Sequence, residues 1–328
     1  MQDLPTLTYF PDSRPGITRR RQGRGWRYFA PDGTGIDAKD ERKRLNALAV
    51  PPAYSDVWMC PDPRGHLQAT GRDDRARKQY RYHEDWTAFR ARKKFDHLAT
   101  FGEALPALRR RIRRDLRDGT AGDHDFAIAA ILALLDRANL RVGNPDYARR
   151  NQTFGATTLR PRHLQLDGGE VQLDYRAKGG DQVRKRLRDR TLNRVLERLD
   201  DLGGPTLVSW EDSDGTSRAV GSDTINQRLA DWTGQEAISA KTFRTWNGTV
   251  AAFDVATRNE TLSIKAMTEA AAERLHNTPA ICRTSYVHPW VIALSETPFE
   301  TRRRYLETAP ETRGLRQAEA GLLALLSE

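Results

Sequence analysis

Tyr286 closes the stretch Asn277-Thr278-Pro279-Ala280-Ile281-Cys282-Arg283-Thr284-Ser285-Tyr286. Upstream stand Arg141 in Leu140-Arg141-Val142-Gly143-Asn144 and Lys178 in Arg176-Ala177-Lys178-Gly179-Gly180. Arg244 follows in Lys241-Thr242-Phe243-Arg244-Thr245-Trp246. A phenol that attacks a phosphodiester needs cations on the phosphate and a hydrogen-bond donor near its oxygens. Arginine's planar fork suits charge gathering on non-bridging oxygens, and a lysine can deliver a proton to a leaving group. Each residue alone has a plainer reading. Lys178 reads as a solvated hairpin lysine, Arg244 as a surface arginine, and Tyr286 as an amphipathic tyrosine at a core edge.

The elements that must position these residues can be read from local pattern. Phe126 to Leu135 is an apolar helical run whose chain reaches Gly143, a candidate C-terminal cap. In 164–187 the pattern alternates: Leu164 and Leu166, the turn Asp167-Gly168-Gly169, then Val171, Leu173 and Tyr175 on one strand face. Lys178 follows on the other face, beside the turn Gly179-Gly180-Asp181. Phe243, Trp246, Val250 and Phe253 form a helical core stripe, with Arg244 rotated off it. A helix over Ile264 to Leu275 stops before Pro279, and Thr278-Pro279 reads as an N-cap followed by proline at the first helical position. Tyr286 then falls about two turns into that helix, which Pro289 ends or kinks.

The first ~85 residues read differently, as strands and turns. Trp26-Arg27-Tyr28-Phe29 meets Pro31-Asp32-Gly33-Thr34-Gly35, and Val57 to Cys60 pairs with His66 to Thr70 across Pro61-Asp62-Pro63-Arg64-Gly65. A short helix is expected from Asp40 to Leu48. From Trp86 the period becomes helical: Leu105, Leu108, Ile112 and Leu116 share a face, with Arg109, Arg110, Arg113, Arg114 and Arg117 on the other. The chain therefore divides into an N-terminal domain, 1–88, and a larger helical domain, 89–328. The fold class is α+β.

The 328 residues carry a formal net charge of +10 and a pI near 9.8. That balance suits a polyanionic partner, since each phosphate contact releases condensed counterions. No segment approaches the roughly 20 apolar residues of a spanning helix, and Met1-Gln2-Asp3-Leu4-Pro5 lacks the pattern of a secretory signal. Cys60 and Cys282 fit neither a disulfide framework nor a zinc site. They read as two unpaired thiols in a reducing cytoplasm.

Taken together, the order Arg, Lys, Arg, Asn/His, Tyr resembles the active site of type IB DNA topoisomerases of the poxvirus and bacterial kind. Gly71-Arg72-Asp73-Asp74-Arg75-Ala76-Arg77-Lys78-Gln79-Tyr80 resembles a block at the end of that family's N-terminal domain. Tyr147-Ala148-Arg149-Arg150-Asn151 and Thr157-Thr158-Leu159-Arg160 resemble the surroundings of its first catalytic arginine. The resemblance spans about residues 25 to 295. It implies two lobes that clamp duplex DNA like a C, a strand-rich N-terminal lobe and a helical catalytic lobe with a β-hairpin. It further implies a monomer acting on nucleoid DNA in the cytoplasm without ATP, cofactor or metal. Tyr286 would be the nucleophile that joins the DNA 3′ end, Arg141 and Arg244 would hold the phosphate, and Lys178 would protonate the leaving 5′ oxygen. Asn277 stands where many relatives have histidine, with His276 beside it, and an amide donates without titrating. Lys78, Gln79, Tyr80 and Tyr82 would lie against a DNA groove, and Lys241 would add a phosphate contact.

Two other functions compete. A tyrosine recombinase uses similar chemistry, but its second arginine usually comes in an H-x-x-R box, whereas this chain has Lys241-Thr242-Phe243-Arg244. Recombinases also commonly carry a helical N-terminal DNA-binding domain. A non-catalytic basic DNA-binding protein would explain the arginine-rich face at 109–117 and Arg19-Arg20-Arg21, but not five active-site residue types in order.

Overall fold

The structure, a computed structural model, describes residues 6–328 except the side chains of residues 91 and 92. It is α+β and divides into two compact units, Met1–Lys94 and Phe95–Glu328.

The first unit is built on short antiparallel sheets. Strands β1 (Thr18–Gln22) and β2 (Gly25–Phe29) form a hairpin, and helix α1 (Lys39–Ala47) follows. Strands β3 (Ser55–Met59), β4 (Leu67–Arg72) and β5 (Lys78–Tyr82) make a sheet in that order, and α2 (Glu84–Lys93) ends the unit. Ile17, Tyr28, Leu45, Met59 and Ala69 form its core. The Tyr28 hydroxyl pins α1 by donating to Asn46 Oδ1 at 2.7 Å. Arg19, part of an expected solvated or phosphate-binding run, instead donates to Val50 O at 2.8 Å and Pro51 O at 2.6 Å. Its guanidinium also stacks 3.9 Å from the Trp26 ring. It ties loops together, because three-residue arginine runs on a strand alternate between faces.

The second unit is mainly helical. It begins with α3 (Leu98–Asp118), α4 (His124–Arg137) and α5 (Pro145–Asn151). A three-stranded antiparallel sheet follows: β6 (Leu164–Asp167), β7 (Glu170–Arg176) and β8 (Gln182–Arg188), with α6 (Arg190–Leu202) after it. A small hairpin of β9 (Ser209–Glu211) and β10 (Ser217–Ala219) precedes α7 (Ser222–Thr233). The rest is helical: α8 (Ala240–Arg258), α9 (Ile264–Leu275), α10 (Pro279–Ser285), α11 (Pro289–Ala293), α12 (Phe299–Glu307) and α13 (Gln317–Leu326). Apolar on every side, α4 is buried from Phe126 to Asp136, as expected of a central helix. It packs against α3, α6, α7 and α8, while α9 lies along α8. No helix among the described residues is long and apolar enough to cross a membrane.

One arginine of the expected solvated face turns inward. Arg109 pairs at 2.8 Å with both Asp136 and Glu319, the latter fully buried in α13. Glu319 also accepts from the Arg316 side chain at 2.7 Å and the Arg316 backbone N–H at 2.8 Å. Burial pushes its pKa up, but the bonds from Arg109 and Arg316 win and hold it at about 2. Glu319→Ala leaves Arg109 in the interior with Asp136 as its one remaining carboxylate among the described residues, and is expected to lower unfolding stability by about 3 kcal/mol. A chemical denaturation curve within about 1 kcal/mol of the parent would refute this role for the network.

Candidate active site

Helix α8 delivers Arg244 from its second turn. The helix starts at Ser239, whose N–H donates to Thr242 Oγ1 at 3.1 Å. Arg244, whose plainer reading would be a surface arginine, is only 4% exposed. Its guanidinium donates to Asn139 O at 2.6 Å and to Leu275 O at 2.9 Å. It thereby joins the loop after α4 to the end of α9. Its Nε is buried without a protein partner among the described residues.

The α9–α10 junction supplies Asn277 and Tyr286. His276 ends α9 in the left-handed region (φ 46°), and Asn277 N–H donates back to Ala272 O at 3.1 Å. Thr278 then caps α10 by accepting from the Ile281 N–H, with Pro279 at the first helical position. Asn277 is thus held between two helix ends, and its Nδ2 is buried with no protein partner among the described residues. Tyr286 lies about two turns along α10, at its C-cap. The helix ends there because His288 precedes Pro289, avoids the helical region, and caps α11 through Nδ1 at 3.1 Å from Trp290 N. The Tyr286 carbonyl accepts from Thr249 Oγ1 on α8 at 3.0 Å. A Cβ on Gly248 would stand 3.0 Å from that carbonyl oxygen and 2.8 Å from Leu275 Cδ1. Glycine is therefore what lets the tyrosine backbone sit against α8.

Arg141 comes from the loop after α4. The helix stops at Arg137, with Ala138 as its cap, so Gly143 is a loop glycine (φ 101°) and not the helix terminator. The loop is stitched to 155–158, where Ala156 N–H donates to Arg141 O at 2.8 Å and Thr157 N–H to Val142 O at 2.7 Å. Arg141 Nη2 donates to Asn277 Oδ1 at 3.2 Å. The Arg244 Cζ lies 5.2 Å from the Tyr286 ring centroid. Of the five expected residues, Arg141 and Asn277 are thus joined by a hydrogen bond and Arg244 and Tyr286 by a cation–ring contact, and the charge of Arg141 is felt at Arg244.

The fifth is placed differently. Lys178 stands exposed on the turn between β7 and β8, which Gly179 (φ 101°) and Gly180 (φ 95°) make possible. No hydrogen bond or ion pair joins it to Arg141, Arg244 or Asn277 among the described residues. Lys241 is exposed in the first turn of α8. In the other unit, Lys78 pairs with Asp12 at 2.5 Å and Gln79 donates to Asp73 Oδ2 at 2.9 Å. Tyr80 and Tyr82 are exposed on β5 and stack on each other, ring centroids 6.2 Å apart.

The linked residues sit in a strongly cationic, partly dry environment. Burial, and then the charge of Arg141, lower the Arg244 pKa, while Tyr286 holds it up. Burial pushes the Tyr175 phenol up to about 12, against the pull of Arg244 and Arg141. Burial likewise pushes the nearby Cys282 thiol up to about 11, which leaves it a poor nucleophile. Sequence reasoning missed Lys185 on β8, which donates to Arg274 O at 3.1 Å. A signal for it existed: Lys185 stands between Val183 and Leu187 on the inward face of an alternating strand, opposite buried Leu173.

Comparison with known proteins gives the family. Residues 25–73 match the family described as bacterial DNA topoisomerase IB, N-terminal domain. Residues 83–283 match the family described as eukaryotic DNA topoisomerase I, catalytic core. The chain is 28% identical over 294 residues to DNA topoisomerase 1B of Acanthamoeba polyphaga mimivirus, covering 85% of this chain and 87% of that protein. It is 24% identical over 180 residues to DNA topoisomerase 1 of Mycosarcoma maydis, covering 48% of this chain and 17% of that protein. The catalytic-core match alone spans more than half the chain and includes Arg141, Lys178, Arg244 and Asn277, and on that ground the chain belongs to the type IB DNA topoisomerase family.

Proposed function

We propose that this enzyme relaxes supercoiled duplex DNA by cutting one strand through Tyr286, letting the duplex swivel, and resealing it without ATP or metal. The observation that carries this reading is a pair of buried donors, one of them on the guanidinium that lies 5.2 Å from the Tyr286 ring centroid. Arg244 Nε and Asn277 Nδ2 have no protein partner among the described residues, and a buried unpaired donor costs about 1–3 kcal/mol. Phosphate oxygens are acceptors that both donors lack. Arg141, bonded to Asn277, adds a second guanidinium.

In the reaction the Tyr286 oxygen bonds to phosphorus as the bond from phosphorus to the 5′ oxygen breaks. The phenolic proton passes to water, and Lys178 donates a proton to the departing 5′ oxygen. Arg141, Arg244 and Asn277 stabilise the charge on the non-bridging oxygens in the five-coordinate transition state. A phenolate leaves more readily than an alkoxide because phenol has a pKa of about 10, so the 3′-phosphotyrosyl bond keeps the energy for resealing. Lys241, and Lys78, Gln79, Tyr80 and Tyr82 on the other unit, would contact DNA outside the reacting phosphate. The enzyme acts as a monomer on the DNA of the nucleoid in the cytoplasm.

Relaxation of a negatively supercoiled plasmid in EDTA, without nucleotide, tests this reading. Full relaxation is expected on any plasmid, with no paired recognition sites. Activity that appears only with a divalent cation or ATP would overturn the metal- and ATP-independent mechanism. The donor assignment has its own test. Asn277→Ala is expected to slow single-turnover cleavage by on the order of 10², and His276→Ala to change it little. The reverse pattern would transfer the role to His276.

A further inference from the structure

A cavity of ≈ 670 Å³ opens behind the linked residues, and neither Tyr286 nor Arg141 lines it. Its walls come from β8, the end of α4, the middle of α8, the end of α9 and the start of α13. Seven lysines and arginines line it against two carboxylates, Asp254 and Glu273. Four of these cations are occupied: Arg137 by Asp189, Arg184 by Asp174, Arg258 by Asp254 and Arg316 by Glu319. Lys185, Arg186 and Arg274 have no carboxylate partner among the described residues. Like charges collected without anions mark a surface built to receive one.

Lys185 is the member best placed to act. It is a charged residue on the same face of β8 as Val183 and Leu187, opposite buried Leu173. Its ammonium rests on Arg274 O, where the carbonyls of a helix end carry the negative pole of the dipole. Arg244 holds the very next carbonyl, that of Leu275. Asn139, only 4% exposed, lines the cavity and accepts from Arg244, and its Oδ1 is buried without a protein partner among the described residues. Lys185 and Arg244 therefore grip adjacent carbonyls of the helix end that presents Asn277.

We propose that this cavity is a second phosphate site, in which Lys185, with Arg274 beside it, binds a backbone phosphate of the DNA other than the one attacked, and through the end of α9 positions Asn277. The proposal rests on DNA being the substrate, as the function above has it.

The charges around Lys185 give the proposal a distinctive readout. Burial, then Arg244, Arg274 and Arg141, pull its pKa down to about 7. Glu273 on α9 and Asp254 on α8 are the carboxylates in the cavity wall, and His276 is itself pulled below its ordinary value by burial and by Lys185. A phosphate in the cavity neutralises this crowding and returns Lys185 toward its ordinary pKa. Its contribution to DNA affinity is then complete below about pH 7 and is lost as pH rises above it. Near pH 8, binding should take up about one proton. His276 titrates lower and does not enter that window.

The test is calorimetric binding of a short duplex to the Tyr286→Phe protein at pH 8, in buffers of differing ionisation enthalpy and at several salt concentrations. The parent is expected to take up about one proton. Lys185→Met should abolish the uptake and reduce the slope of log K against log salt by about 0.9. Lys185→Arg should abolish the uptake but keep the slope, since arginine stays charged. Unchanged proton uptake in Lys185→Arg overturns the proposal even if the Met variant does not fold. An unchanged salt slope in a folded Lys185→Met protein overturns it too. Failure of the parent to bind duplex at all would instead strike at the function on which it rests.

Discussion

Tyr286→Phe is expected to bind duplex DNA with near-parental affinity and to leave supercoiled plasmid unrelaxed. Loss of a nucleophile from a preorganised site costs on the order of 10⁴–10⁶ in rate. The change removes one hydroxyl and keeps the ring. That ring is half-buried, with the Arg244 guanidinium 5.2 Å from its centroid, and the backbone stays anchored through Thr249. Folding stability should therefore move by less than about 1 kcal/mol. Denaturant quenching offers a second readout, because the parent should leave protein joined to a DNA 3′ end and the variant should not. The buried Tyr175 cannot take over readily, since its phenol is pushed up to about 12. Relaxation by Tyr286→Phe at a parental rate would remove Tyr286 from the chemistry and reopen the choice among the other tyrosines.

The parts of this site that were legible in the sequence are those governed by neighbours in the chain. The end of α9 at Leu275, the Thr278-Pro279 start of α10 and the alternation of β7 depend on capping, proline geometry and strand period, all local effects. The short length of α10 was equally local, because His288-Pro289 announces a restart two residues after Tyr286. What escaped was polar burial. Periodicity identified one apolar stripe on α8, yet Arg244, Thr245 and Asn247 are buried as well, because other elements surround the helix. The acceptors that make Arg244 tolerable inside lie 105 and 31 residues away. Arg109 is the same case, with Glu319 lying 210 residues further along. A charged residue on the polar side of a stripe looks solvated until its distant partners are known. Lys185 is the converse, a charge at an inward strand position, and alternation alone could have flagged it.

That distant partnership makes Arg244 the site's most exacting position. Arg244→Lys keeps a positive charge, but a single ammonium cannot reproduce a planar fork that spans Asn139 O and Leu275 O while offering Nε to a phosphate. Cleavage by this variant is expected to fall by on the order of 10²–10³, with the change in the chemical step and little in duplex affinity. Arg244→Ala should fall at least as far and also lose roughly 3 kcal/mol of stability, because two buried carbonyls lose their donors. Comparing the two separates the roles. If the lysine variant cuts within a few-fold of the parent, charge alone suffices and the fork is only structural. If it is slow yet as stable as the parent, the fork is acting on the phosphate, and the loop of Arg141 and the α9 end are being held for that purpose.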